Sequence, residues 1–152
     1  MKYIAMTCQG REWMLDHHRK QIPELEVAFD HFEDTGLNDK AYQNFIQSLE
    51  MADPEQGSIH MEDDIFLTRD FKAKAEKAIA ERPDDVIQFF SMRKKDLSEG
   101  SRYEYGRTFC MNQCFYLPAG MAGKLATHLK TFNIERKELG SPYDIGMADT
   151  LL

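Results

Sequence analysis

The chain has 152 residues, the size of one ordinary domain with a buried core, so a single compact domain spanning residues 1–152 is expected. Hydrophobic residues make up 42% and charged residues 30%, a globular balance that excludes a disordered chain or a membrane bundle. The net charge of -7 excludes a surface built to track nucleic-acid phosphates, and favours a small or neutral partner or an anion bridged by a metal.

The opening MKYIAMTCQGRE lacks the cationic and apolar regions of a signal peptide, and no apolar run reaches the roughly 20 residues of a membrane span. A cytoplasmic protein without a membrane span is the expectation. Cys8, Cys110 and Cys114 are an odd and sparse set, so reduced thiols are expected, and the Cys110 to Cys114 spacing matches no common zinc pattern.

In chain order, KYIAMTC predicts a first strand over residues 2–8 that ends at the polar QGRE. WMLDHHRKQ predicts a short polar helix stopped near Pro23, with His17 and His18 on its surface. LEVAFDHF, from Leu25, alternates as a second strand, followed by the turn-like EDTGLND. Asn38 or Asp39 can cap the next helix, where Tyr42, Phe45, Ile46 and Leu49 form one apolar face suited to a core.

SIHMEDDIFL, residues 58–67, predicts a strand interrupted by three acids, Glu62, Asp63 and Asp64. FKAKAEKAIAERP predicts a helix ended by Pro83, and DVIQFFSM another buried strand. The polar RKKDLSEGSRYEYGR predicts a long surface loop of the kind that carries substrate contacts. FCMNQCFYL predicts a strand, PAGMAGKLATHLKTF a helix with Pro118 near its first turn, and SPYDIGMADTLL a last helix capped by Ser141. This alternation predicts an α/β domain with a mostly parallel sheet and helices on both faces.

The acidic triplet is the feature that asks for chemistry. Adjacent carboxylates repel, and desolvating even one is costly unless a cation or hydrogen-bond donors compensate, so a positive partner is expected from outside the sequence. On a strand Glu62 and Asp64 would share a face, offering two oxygen ligands to a hard cation such as Mg²⁺ or Mn²⁺. His60, two residues before Glu62 and on its face, is either a neighbour of that metal or its phosphates or a satisfied, partly buried strand residue. Arg69, Lys72 or Lys74 could instead pair with the acids. Because open α/β sheets bind ligands at the carboxyl ends of their strands, Thr7 to Arg11, Asp30 and Glu62 to Asp64 are expected to share one cleft.

HMEDDIFLTRDF resembles the EDD motif and its sequel in the glycosyltransferases that include lipopolysaccharide galactosyltransferases and collagen galactosyltransferases, enzymes of the GT-A nucleotide-diphospho-sugar fold. The order of DVIQFF, FCMNQCFYLPAGMAGKL and PYDIGMADTLL is similar as well. The resemblance implies a GT-A-like (Rossmann-like) domain that moves a sugar from a nucleotide-diphosphate donor to an acceptor hydroxyl. It implies Mn²⁺ or Mg²⁺ held by Glu62 and Asp64, with Asp63 in the middle position of the motif. Thr7 and Arg11 then stand where the first strand meets the nucleotide, Asp30 where a ribose or base is bound, and Asp144 where a general base deprotonates the acceptor.

The family is usually longer than this chain, so a minimal enzyme, a homo-oligomer or completing partner, or a remnant without activity is expected. Two other functions share the same acids. One is a nucleotide- or metal-binding module without turnover, and the other is a Mg²⁺-dependent phosphohydrolase, for which further carboxylates and basic residues would be needed.

Overall fold

The computed structural model describes residues 1–32, 39–89, 98 and 113–138. The expected loop around RKKDLSEGSRYEYGR, the helix from Ser141 and the residues Cys110 and Asp144 lie outside these.

The first strand forms as expected: β1 (Lys2–Cys8) buries Tyr3 through Thr7. A 3-10 turn, Glu12–Met14, runs directly into α1 (Leu15–Gln21), so the predicted helix begins with a tightened turn. β2 (Glu26–Asp30) and α2 (Asp39–Glu50) follow. β3 (Ser58–Glu62) stops at the first acid, because Asp63 and Asp64 already belong to a turn; the strand does not extend to Leu67.

α3 (Phe71–Glu81) ends one residue before Arg82 and Pro83. β4 (Ile87–Gln88) is a two-residue, half-buried edge strand, shorter and more open than the buried strand expected of DVIQFFSM. β5 (Cys114–Leu117) is fully buried. α4 (Met121–Glu138) starts three residues after Pro118, whose carbonyl accepts the Met121 N–H at 3.1 Å; the proline precedes the helix and is not part of its first turn.

The five strands lie in the order β2-β1-β3-β5-β4. β1 runs parallel to β2 and to β3, with Met6 opposite Glu62 and Cys8 opposite Asp30. β5 is antiparallel to both β3 and β4, so the sheet is mixed, a correction to the mostly parallel expectation. Side-chain periodicity distinguishes strand from helix but carries no record of strand direction, which depends on how the chain returns to the sheet. The segment between β4 and β5 leaves at Phe89 and re-enters at Gln113. Phe89 N–H bonds the Cys114 carbonyl at 2.9 Å, and Glu62 N–H bonds the Gln113 carbonyl at 2.8 Å, so both anchors stand at the carboxyl edge of β3.

Alternation along the strands builds two cores. Tyr3, Ala5, Ile59, Met61, Cys114 and Tyr116 meet Leu15, Ile22, Phe71, Ala75 and Ile79 on the α1 and α3 side. Ile4, Met6, Ala28, Phe115 and Leu117 meet Tyr42, Phe45, Ile46, Leu49, Leu125 and Leu129 on the α2 and α4 side. Helices therefore cover both faces, and the apolar stripe of α2 is core, as expected. Each large side chain so buried contributes about 1.5–3 kcal/mol before entropy is counted. At Gly57 a methyl group would stand 2.4 Å from the Tyr116 ring, whose hydroxyl is bonded to the Pro83 carbonyl, so this approach requires glycine. No described helix is long and apolar enough to cross a membrane.

His60 belongs to this framework. It is fully buried, stacks on Phe115 at 5.4 Å, and its ring nitrogens meet Ser48 Oγ at 3.3 Å and Ser58 Oγ at 2.8 Å. Both nitrogens are engaged within the core, so of the two readings of His60 the satisfied, buried residue is the one the structure shows. Burial pulls its pKa down to about 3. The unfolded chain therefore takes up a proton near the ordinary value of about 6.5 while the folded chain does not, so stability is lost as pH falls below that value. Urea unfolding of the native protein should show this loss, up to about 1.4 kcal/mol per pH unit, between about pH 6.5 and pH 4. His60→Gln should flatten the profile over that interval, and an unchanged slope would exclude His60 as its source.

Candidate functional site

The site forms where the carboxyl ends of β1, β2 and β3 lie side by side. β1 ends at Cys8, and Gly10, at φ 85°, turns the chain so that Arg11 N–H bonds the Cys8 carbonyl at 3.1 Å. This left-handed backbone favours glycine, which nothing crowds there. The turn carries the Arg11 side chain back over the strand ends. On β3, Asp63 N–H bonds the Met6 carbonyl at 3.1 Å, joining the turn to the neighbouring strand.

Asp63 is the centre of the arrangement. Its side chain is 4% exposed, against 41% for Arg11 and 49% for Asp64. Thr7 Oγ1 donates to Asp63 Oδ2 at 2.5 Å, and Arg11 Nη2 donates to Asp63 Oδ1 at 2.5 Å and lies 3.1 Å from Asp64 Oδ2. Burial opposes the guanidinium charge, but Asp63, then Asp64 and the nearby Cys8 outweigh it, so the Arg11 pKa is raised. The positive partner that the triplet seemed to lack is Arg11, supplied by the chain itself. Arg69, Lys72 and Lys74 do not play that part: Arg69 pairs with Asp70, Lys72 with Glu24 and Glu76, and Lys74 donates to the Arg69 carbonyl.

The triplet straddles the sheet. Glu62 is the last residue of β3 and follows Ser58 and His60 onto the α2 side, whereas Asp63 bonds Thr7 on the side of α1. The shared strand face expected of Glu62 and Asp64 is absent, since the strand ends between them. Glu62 is half-buried and makes no hydrogen bond through its carboxyl among the described residues. Burial first, then repulsion from Asp64 and Asp63, raises its pKa, with Arg11 opposing. Glu62 thus carries the least compensated charge of the three.

The other expected residues divide. Asp30 stands beside Cys8 in the sheet, but its Oδ1 accepts Phe32 N–H at 3.1 Å, closing a turn of its own. Asp144 lies outside the described residues. His18, expected at the surface, is fully buried; its Nδ1 donates to the Met14 carbonyl at 3.3 Å, while Nε2 has no hydrogen-bond partner in the structure. Burial lowers its pKa, so the ring is held neutral on the side facing Asp63. Asn44 was not expected either. It is buried, donates to the Thr7 carbonyl at 3.3 Å, and leaves Oδ1 without a partner. The inward spacing Leu15, His18, Ile22 is the signal that could have found His18.

Among the described residues no group of three or more His, Cys, Asp and Glu side chains is placed to hold a metal ion. Cys8 and Cys114 are free thiols. Comparison with protein families, with curated proteins and with solved structures finds no match to this chain.

Two substitutions test these roles. Arg11→Met should cost about 2 kcal/mol in chemical unfolding, between the values for exposed and buried pairs, because it strands Asp63 in the interior. Adding Asp63→Asn should recover part of that loss, and additive costs would show the two residues uncoupled. Glu62→Gln should raise the melting temperature at neutral pH without divalent metal. A raised carboxyl pKa means the folded chain binds more protons, so stability falls as pH rises through that pKa. The gain from Glu62→Gln should therefore shrink as pH falls through that raised pKa, and vanish below the ordinary carboxyl value, where the side chain is neutral in both states.

Proposed function

We propose that the chain is a metal-dependent glycosyltransferase of GT-A-like architecture, moving a sugar from a nucleotide-diphosphate donor to an acceptor hydroxyl. The observation that supports it most is the under-compensated carboxylate of Glu62, set with Asp64 at the carboxyl edge where two parallel strands end. In this reading Glu62 and Asp64 hold Mn²⁺ or Mg²⁺, and water and diphosphate oxygens complete the shell. When bound, that cation neutralises the departing nucleoside diphosphate, which lowers the barrier without a proton transfer.

The remaining residues take positioning parts. Asp63 is already saturated by Thr7 and Arg11, so it fixes the turn and leaves ligation to its neighbours. Arg11 commits Nη2 to the acids, and the side chain is 41% exposed, so in this reading the rest of its guanidinium serves a phosphate. Asp30 would serve the ribose or base, and Asp144 would act as the base on the acceptor hydroxyl.

A second reading is a nucleotide- or metal-binding module without turnover. It is favoured by the Arg11–Asp63 pair, in which part of the acidic cluster is neutralised as architecture.

Incubation with UDP, GDP and TDP sugars and Mn²⁺ tests both. The transferase should release nucleotide in a metal-dependent manner, and Asp64→Ala should cut release by about a hundredfold or more. Nucleotide binding by calorimetry without release to any acceptor selects the binding module. If no nucleotide binds and Asp64→Ala changes nothing, both readings fall.

A further inference from the structure

Two large aromatic side chains remain in water close to the acidic edge. Trp13 is 67% exposed and Phe66 86% exposed, whereas most other aromatic rings among the described residues are taken up by the two cores. Trp13 stands two residues after Arg11 and Phe66 two residues after Asp64, so the Arg11–Asp64 contact at 3.1 Å draws their two loops together. His17 joins them. It lies four positions beyond Trp13 on one continuous helical stretch, and its ring meets Phe66 edge-on at 5.4 Å and 63°. Its Nε2 bonds the Leu67 carbonyl at 3.1 Å, which holds the ring in that pose.

The ledge continues into a groove. A concavity of about 650 Å³ between α1 and α3 has His17 and Leu67 in its wall, together with Lys20, Gln21, Arg69, Asp70 and Glu76. Donors and acceptors of both signs therefore stand beside the His17 ring. An apolar helix of a partner protein would meet unmatched charges here, and a nucleic acid would meet Asp70 and Glu76 as well as an acidic chain. A saccharide fits both parts. The C–H face of a pyranose ring packs on the negative face of an aromatic ring, and its hydroxyls both donate to carboxylates and accept from Lys and Arg.

We propose that the Trp13–His17–Phe66 ledge and the α1–α3 groove form a saccharide-binding site. As the place where the acceptor sugar lies beside the acidic edge, it rests on the transferase reading; as a saccharide site it does not. The ledge takes one ring and the groove holds the hydroxyls of the next.

Trp13 is the sole tryptophan of the chain, so its emission reports directly on the ledge. The full-length protein is titrated with lactose, maltotriose, chitotriose and glucuronic acid, and separately with UDP plus Mn²⁺ and with Mn²⁺ alone. The expected result is a saturable change of Trp13 emission with at least one of the saccharides. Phe66→Ala should weaken that binding roughly fivefold, and Arg69→Ala should weaken it while leaving the emission of the free protein unchanged. Both positions are exposed, so the variants should keep the native circular dichroism and melting temperature.

Several outcomes separate the claims. Emission that responds to UDP with Mn²⁺ but to no saccharide assigns the ledge to the donor and overturns the saccharide site. Emission that responds to nothing, or saccharide binding untouched by Phe66→Ala, overturns it too. Saccharide binding without any nucleotide or Mn²⁺ binding leaves this site standing and removes the transferase reading.

Discussion

The structure depends on one buried carboxylate being satisfied at the junction of two parallel strands. Asp63 sits where water cannot solvate it, and a bare ionised acid there would cost several kcal/mol. Thr7 from β1 and Arg11 from the turn after it supply short hydrogen bonds, one to each oxygen. Both donors lie more than fifty residues away in sequence. The contact therefore pins β1 against β3 in register, ties down the Gly10 turn and fixes where Asp64 and Glu62 emerge. A one-residue slip of either strand would send the Asp63 side chain to the wrong face and leave Arg11 without its partner.

A run of three acids accordingly splits into unequal parts. The middle acid is buried and paired, the outer two are more open, and the division follows from the strand ending between Glu62 and Asp63. Glu62 turns towards α2 and is poorly compensated; Asp64 stays half in water beside Arg11. The arginine does two things at once. It neutralises the buried acid and keeps the potential at the rim low enough that two further carboxylates can be tolerated nearby. The Arg11 side chain is itself 41% exposed, so part of its charge faces solvent at the rim.

The sequence made much of the fold legible through periodicity. A short β-rich run located β1, alternation located β2, and the helical spacing of Tyr42, Phe45, Ile46 and Leu49 located the inner face of α2. The helix-forming run before Pro83 became α3 with its end nearly where proline dictates. Strand direction was not legible, because β5 is a continuous apolar run of the kind a buried parallel strand would also be. The apolar letters of Ile65, Phe66 and Leu67 suggested a continuing strand, yet Asp63 prefers the turn that its hydrogen bonds require, and Phe66 ends in solvent. For the site, the acids and their position at a strand end could be read directly. The Arg11 pairing could not, since no local pattern announces a partner 52 residues away. His18 fell between these cases: its charge-rich neighbours hid the inward stripe on which it lies.

The placement of β5 between β3 and β4 has a consequence for how the chain is born. β4 touches the sheet through β5 alone among the described strands, and β5 comes about 25 residues later in the chain. During synthesis β1, β2 and β3 can pair as soon as they leave the ribosome, whereas β4 must wait, unpaired, until the next strand slides in beside the open flank of β3. Until then Ile59 and Met61 on that flank lack their cover. A nascent chain stalled between these two segments would present a sticky border to chaperones and to its own copies.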